Sequence, residues 1–343
     1  MENHKILSFI IPAYNSEPFL KKCLESFCAK DVFDTVEVLI INDGSTDRTE
    51  KIGKQYVDKF PQVFRLINKK NGGHGSAINE GISYVTGKWF RIVDADDWLE
   101  TIYLSQFVNI LKNYSADVAI SPFQTFDIRL GKYKKWEIIK ETKEAPIAFE
   151  HILKDWNEVK NGFTLHGITY NTRFYRSKAP NLCEGVFYED HEYATIPCCY
   201  AKRIIVIDLP LYVYRIGDVS QSIAVKNQLK RKNDLRIVLE TMTQYYCQNY
   251  GRMTEHGQVF FLRKLESVLL SYYKILLLVV PKRSKGRKMA MELYLKTGEI
   301  LPELQRQTKR KYQLLIFFNY IHVSLQQYMF FVNTRIYKWL RSI

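Results

Sequence analysis

The chain has no run of about 18 uncharged apolar residues, the length a membrane-spanning helix requires. The nearest stretch, residues 268–280, is too short and is interrupted by Lys274. No cysteine motif is present: Cys23, Cys28, Cys183, Cys198, Cys199 and Cys247 form neither a CxxC pair nor a Cys/His zinc spacing. Six cysteines in 343 residues therefore predict reduced thiols in a cytoplasmic protein, not a disulfide framework. The opening Met-Glu-Asn-His-Lys lacks the basic and apolar layout of a secretory leader, so none is expected. Internal repeats and low-complexity linkers are missing. The GxxxxGK[ST] phosphate loop and the GxGxxG dinucleotide fingerprint are missing too. RNA-recognition, zinc-finger and helix-turn-helix patterns are absent as well, so no nucleic-acid partner is expected.

What remains is the composition of a folded protein. Hydrophobic residues make up 46% and charged residues 25%, which suits one large core or two modest ones and excludes wholesale disorder. The net charge of +14 is unevenly placed. Residues 281–343 carry thirteen Lys or Arg against three Glu, a net of +10, which leaves +4 for the rest. Such a tail attracts anionic lipid or polyanionic polymers, although a solvated helical face would carry the same residues.

The first 120 residues alternate short apolar runs with helical patterns. Residues 6–11, 36–41, 63–67 and 89–93 are rich in Ile and Val and suit strands buried on both faces. Between them, Phe19, Cys23, Leu24 and Phe27 recur at helical spacing after Ser16-Glu17-Pro18. Residues 47–60 follow a Ser-Thr-Asp cap, and Ala77, Ile78, Gly81, Ile82 and Val85 share one face of a third helix. This order predicts an α/β fold with a doubly wound, mainly parallel sheet, whose ligand crevice lies at the carboxyl ends of its strands. Beyond residue 117 short strands and loops follow. Residues 189–200 read as a helix and 203–207 as a strand, and after Lys226 the chain reads as almost wholly helical.

Polar residues gather where those strands end. Arg91-Ile92-Val93-Asp94-Ala95-Asp96-Asp97-Trp98 delivers three carboxylates from a buried strand, which is costly unless a cation or hydrogen bonds compensate them. Mg²⁺ or Mn²⁺ is the natural hard partner; an acidic cap on a following helix is the alternative. Asp43, in Asn42-Asp43-Gly44-Ser45-Thr46-Asp47, can accept hydrogen bonds from a uracil ring or a ribose, whereas helix capping accounts for Ser45, Thr46 and Asp47. The run Asn71-Gly72-Gly73-His74-Gly75 can bring backbone N–H groups to an anion or simply shape a tight turn.

Ile10-Ile11-Pro12-Ala13-Tyr14-Asn15, Asn42-Asp43-Gly44-Ser45-Thr46-Asp47, Asn71-Gly72-Gly73 and Asp94-Ala95-Asp96-Asp97, in that order and spacing, resemble the family 2 glycosyltransferases. The resemblance implies a GT-A fold over residues 1–225, with a nucleotide-binding half at 1–100 and an acceptor-binding half at 101–225. A mostly helical region at 226–343 follows. It implies a UDP-sugar donor contacted by Pro12, Ala13, Tyr14, Asn15, Asp43, Asn71, Gly72, Gly73, Asp94 and Ala95. Asp96 would be the closer ligand of Mg²⁺ or Mn²⁺. The pair Glu189-Asp190 resembles the family's later acidic motif, with Asp190 as catalytic base, and Tyr214-Arg215 resembles a segment whose Arg approaches the diphosphate. Asp97, Trp98, His74, His166 and Glu189 are further candidates for acceptor contact or for support of these groups. A single base suffices for an inverting transfer, because the metal handles the leaving group. The sequence departs from the family's processive synthases in having no QxxRW run, which favours one sugar per event.

The expected acceptor is a glycan or lipid-linked saccharide of surface-polymer synthesis. The aromatic and basic residues of 312–343, among them Phe317, Phe330, Arg335, Tyr337, Lys338, Trp339 and Arg341, fit an interfacial helix on the inner face of the cell membrane. They fit packing or a homodimer contact equally. Two other functions stay open: a sugar-phosphate nucleotidyltransferase, which also holds Mg²⁺ on an α/β domain, and a non-catalytic binder of anionic polymers.

Overall fold

A computed structural model describes residues 5–138, 145–218, 221 and 224–332. The tail positions Arg335, Tyr337, Lys338, Trp339 and Arg341 lie outside them. The chain forms two compact units, Met1–Val219 with Tyr246–Phe261, and Ser220–Tyr245 with Leu262–Ile343.

The first unit begins with the alternation expected. Strands β1 (Leu7–Ala13), β2 (Val36–Asp43), β3 (Phe64–Lys69) and β4 (Trp89–Ile92) are separated by helices α1 (Glu17–Glu25), α2 (Thr49–Lys59) and α3 (His74–Tyr84). β1, β2 and β4 are buried along their whole length, as strands covered on both faces must be. Then come β5 (Trp98–Leu99), α4 (Leu104–Asn113), β6 (Val118–Ile120), β7 (Phe123–Asp127), β8 (Lys132–Trp136), β9 (Ile147–Ala148), α5 (Phe149–Lys154) and α6 (Trp156–Val159). The unit continues with β10 (Ile168–Asn171), α7 (Thr172–Lys178), α8 (Asp190–Tyr193), β11 (Arg203–Val206) and β12 (Tyr212–Ile216).

Eight strands form one sheet in the order β3-β2-β1-β4-β10-β6-β11-β9. It is mainly parallel, with β10 antiparallel to both neighbours and β9 antiparallel to β11. Because β2 and β4 both run parallel to β1, their carboxyl ends, and with them Asp43 and Asp94, share one edge. A second sheet, β5-β12-β7-β8, carries Trp98-Leu99 and Arg215.

Two local readings change. Trp98-Leu99 is a strand paired with Val213 and Tyr212, so the acidic run before it caps no helix. The helix expected over 189–200 stops at Tyr193 and resumes as a 3₁₀ turn at Pro197–Tyr200, since proline removes a donor and cannot sit inside an α-helix.

Within the first unit, Phe260 packs among Phe149, Trp156 and Phe163 at ring separations of 5.3, 5.7 and 5.0 Å. A Cβ at Gly257 would fall on the Cys199 carbonyl. The second unit is helical: α9 (Val225–Lys230), parts of α10 (Lys232–Asn249) and α11 (Glu255–Lys274), a π-turn at Ile275–Val279, α12 (Arg283–Ile300), α13 (Pro302–Tyr320) and α14 (Leu325–Val332). Tyr294 and Tyr312 stack at 4.4 Å between α12 and α13. No helix among the described residues is long and apolar enough to cross a membrane.

α3 lies so close to β1 that a Cβ at Gly81 would come within 2.5 Å of Ile10 Cγ2. Gly81→Val should therefore cost about 1–3 kcal/mol through overpacking, read as a lower urea midpoint with unchanged slope.

Candidate active site

Asp43, at the end of β2, is buried and fully engaged. Its Oδ1 accepts from Gly72 N at 3.0 Å and pairs with Lys69 Nζ at 2.9 Å, and its Oδ2 accepts from Gly73 N at 2.8 Å. The Gly-rich segment thus turns its N–H groups onto a carboxylate of the chain itself. Its glycines are needed for closeness: Gly73 has φ +89, and a Cβ at Gly75 would strike the Cys183 carbonyl. Gly185 N donates to Gly72 O at 2.9 Å, locking this loop to the segment before α8.

The next residue, His74, opens α3 and joins both halves of the site. Its Nε2 lies 2.8 Å from Asp94 Oδ1 and its Nδ1 2.5 Å from Glu189 Oε1. Burial works against a charge on the imidazole, but the Asp94 and Glu189 carboxylates outweigh it and hold the ring well above its usual range. The same pairing outweighs burial at Asp94 and keeps that carboxyl below its usual range.

Asp94 and Asp97 are tied through Tyr212. The Tyr212 hydroxyl accepts from Asp94 N at 3.2 Å and donates to Asp97 Oδ2 at 2.5 Å, while Asp97 Oδ1 accepts from Arg215 N at 2.7 Å. Burial, together with Asp96 and Asp94, pushes the Asp97 carboxyl well above its usual range. His166 stacks on Tyr214 at 4.2 Å and meets Tyr212 and Phe123 edge-on or tilted, each at 5.1 Å. Burial pushes its imidazole down to about 4, so it is neutral near pH 7. Arg91, buried inside β4, donates to the His166 carbonyl and to Ser121 Oγ, which fixes the segment carrying that ring.

Asp94, Asp97 and His166 each bring a ligand atom within 4.8 Å of the others. Two hard oxygens and a neutral imidazole suit Mn²⁺ and, less fully, Mg²⁺. A cation would also relieve the crowded acid at Asp97. Asp96, the ligand expected from sequence, is not in this cluster; its Oδ2 lies 3.8 Å from Arg215, whose other nitrogen pairs with Asp218 at 2.8 Å.

The remaining predicted residues frame this centre. Pro12 and buried Ala13 end β1. Asn15, with φ +47, accepts from Thr46 N at 2.8 Å and donates its own N–H to Ser45 Oγ at 3.0 Å, so Ser45 and Thr46 tie two loops together. Asp47 alone caps: it accepts from Thr49 N and Glu17 N. Tyr14 and Asn71 are exposed and Ala95 is buried. Trp98 is buried beneath the Lys22 ammonium, 3.1 Å from the ring centroid, and its ring serves packing. Asp190 opens α8, two residues after Tyr188 in the left-handed region at φ +76, a strain typical of sites that must aim a side chain. It is near enough to influence the charge of His166 and Tyr214. Sequence reasoning missed Tyr212, Lys69 and Arg91. An Arg inside an otherwise apolar strand was the one available signal.

The α/β fold thus gathers carboxylates at its strand ends, two of them with a histidine in one cluster that could hold a cation. The glycosyl transferase family 2 profile matches residues 8–177, and the chain belongs to that family and is a glycosyltransferase. It is 25% identical over 294 residues to EpsH of Bacillus subtilis (strain 168), named as a glycosyltransferase, covering 84% of this chain and 80% of EpsH. A fragment of S. aureus TarS superposes with TM-score 0.62 at 18% identity over 92% of this chain and 89% of the fragment. The same fragment in complex with UDP-GlcNAc gives 0.54 at 16% identity, over 89% of this chain and 92% of the fragment. The mannosyltransferase PcManGT of Pyrobaculum calidifontis, in complex with GDP-Man and Mn²⁺, gives 0.50 at 16% identity, over 92% and 86% of the two chains. These structural likenesses establish the GT-A-like fold.

A raised folded pKa means that His74 stabilises most below its unfolded pKa of about 6.5 and loses that contribution as pH climbs through the folded value. In EDTA, His74→Gln should lower the melting temperature most below the unfolded pKa of about 6.5, with the gap from wild type narrowing as pH rises, followed by differential scanning calorimetry.

Proposed function

We propose that the chain moves a single sugar from a UDP-sugar to a hydroxyl of a glycan or lipid-linked saccharide, with inversion, in surface polysaccharide synthesis. The observation that carries this reading is the gathering of Asp94, Asp97 and His166 at the strand ends, with Asp190 near enough to influence the charge of His166 and Tyr214. The UDP-GlcNAc complex of the TarS fragment and the Mn²⁺ complex of the mannosyltransferase support the choice of donor class and metal.

Asp190 takes the proton of the acceptor hydroxyl as its oxygen bonds to the anomeric carbon; the bond to the nucleoside diphosphate breaks and UDP departs. Mg²⁺ or Mn²⁺, held by Asp94, Asp97 and His166, would neutralise that leaving group. Arg215, already poised over Phe19 at 4.4 Å, adds a cation for the diphosphate. His74 keeps the Asp190 segment in register with Asp94 through Glu189. The base and ribose contacts fall to Pro12, Ala13, Tyr14, Asn15 and the loop of Asn71, Gly72 and Gly73. Asp43 supports that loop, since both its oxygens are engaged.

The reading places the enzyme at the inner membrane face. Phe317, Tyr320 and Phe330, 56%, 62% and 79% exposed, are apolar groups available for such docking beside a basic sequence.

Purified protein with Mn²⁺ should release UDP from UDP-GlcNAc or another UDP-hexose and should release no pyrophosphate from UTP with a sugar phosphate. Asp190→Asn should lower kcat about 10²–10⁴-fold with little change in donor KM. Full activity in that variant removes Asp190 from the role of base; a wild type that binds no UDP-sugar with metal present sinks the donor assignment. Mn²⁺ affinity, measured by calorimetry, should rise with pH, because binding requires Asp97 without its proton and burial with its acidic neighbours holds that proton above the usual carboxylate range.

A further inference from the structure

The sheet face that bears Tyr212 and Tyr214 extends past the catalytic cluster. Residues paired across neighbouring strands share a face, and the register runs from Tyr214 through Thr125 to Lys134, and from Ile216 through Asp127 to Lys132. At about 4.8 Å per strand, the Lys134 backbone lies roughly 10 Å from Tyr214. Tyr214 stacks on His166, and the same sheet face runs from there to the outer strand, with Thr125 and Phe123 buried between them. That strand, β8, is exposed along almost all of its length.

Among the described residues, charge on this edge is unbalanced, and on one face only. Arg129 is paired with Asp127 at 3.2 Å. Lys135, on the opposite face, is neutralised by Glu137 at 3.1 Å and Asp208 at 3.6 Å. Lys132 and Lys134 have no carboxylate at ion-pair distance among the described residues. The Lys134 ammonium is placed over the Trp136 ring, 4.3 Å from its centroid. That indole is itself held, stacked on Phe123 at 6.0 Å and donating from Nε1 to Thr125 Oγ1 at 3.3 Å. A cation carried on a fixed ring loses less freedom on meeting an anion than a lysine free in solvent.

We propose that this edge receives the acceptor, and that the acceptor is an anionic glycan whose charged groups meet Lys132 and Lys134 while a hydroxyl further along reaches Asp190. The proposal rests on the transfer reading above and names its substrate class. Lysines on an edge strand also discourage strand-to-strand association. That role alone would leave glycan affinity indifferent to the sign of their charge, which separates the two accounts.

The test compares wild type with Lys132→Glu/Lys134→Glu, first checked for an unchanged melting temperature. Calorimetry measures binding of phosphorylated dextran, carboxymethyl dextran and neutral dextran, and UDP release from UDP-GlcNAc with Mn²⁺ is read separately without acceptor. Wild type should bind the two charged dextrans above the neutral one, with affinity falling as salt rises. The variant should lose about tenfold or more of charged-dextran affinity while UDP release stays within about twofold. The ratio of the two charged dextrans tells phosphate from carboxylate. Equal charged-dextran affinity in both proteins overturns the proposal, and the UDP assay then judges the transfer reading on its own. Loss of sedimentation with phosphatidylglycerol vesicles, with dextran binding intact, assigns the edge to lipid and overturns it as well.

Discussion

The ring of His74 sits between Asp94 and Glu189, and both of its nitrogens are occupied by carboxylate oxygens. Acids brought out of water at the ends of buried strands repel one another unless something positive stands among them. Here that charge comes from the residue directly after the two glycines that grip Asp43. One short loop therefore governs three acidic groups: Asp43 through its backbone, Asp94 and Glu189 through its imidazole. The close approach of Cys183 and Gly185 to this loop explains why its residues are so small.

The other half of the site depends on the second sheet. Tyr212 joins Asp94 and Asp97 with a single hydroxyl, and Arg215 on the same strand fixes Asp97 through its N–H and reaches Asp96 with its guanidinium. Three neighbouring acids thus have different surroundings. Asp94 is drawn toward ionisation by His74, Asp97 is driven toward protonation by burial and its neighbours, and Asp96 faces Arg215. A cation bound by the first two and His166 would change the balance of the whole group.

Much of this was legible in the sequence, and for identifiable reasons. Ile- and Val-rich runs marked β1, β2 and β4 because strands buried on both faces are built mostly of apolar residues. The acids at their ends stood out against those runs. The second sheet left no such trace: β5 is two residues long, β8 is almost wholly exposed, and their pairings join segments more than a hundred residues apart or depend on a turn. His74 could be placed near the crevice but not assigned its partners, since Glu189 reaches it only after the long excursion through β5 to α7. Asp96 was favoured as metal ligand on resemblance, whereas the backbone turn brings Asp94 and Asp97 to His166. His166 itself gave no local signal beyond being a histidine.

The ring of Phe260, wedged among Phe149, Trp156 and Phe163, comes from a segment that returns to the first unit after the chain has already entered the second. Cutting the gene after the last strand would leave three large aromatics facing an empty socket, and the Cys199 carbonyl without the glycine that covers it. A catalytic fragment fit for crystallisation or engineering would have to retain that returning segment, grafted on through a shortened connection.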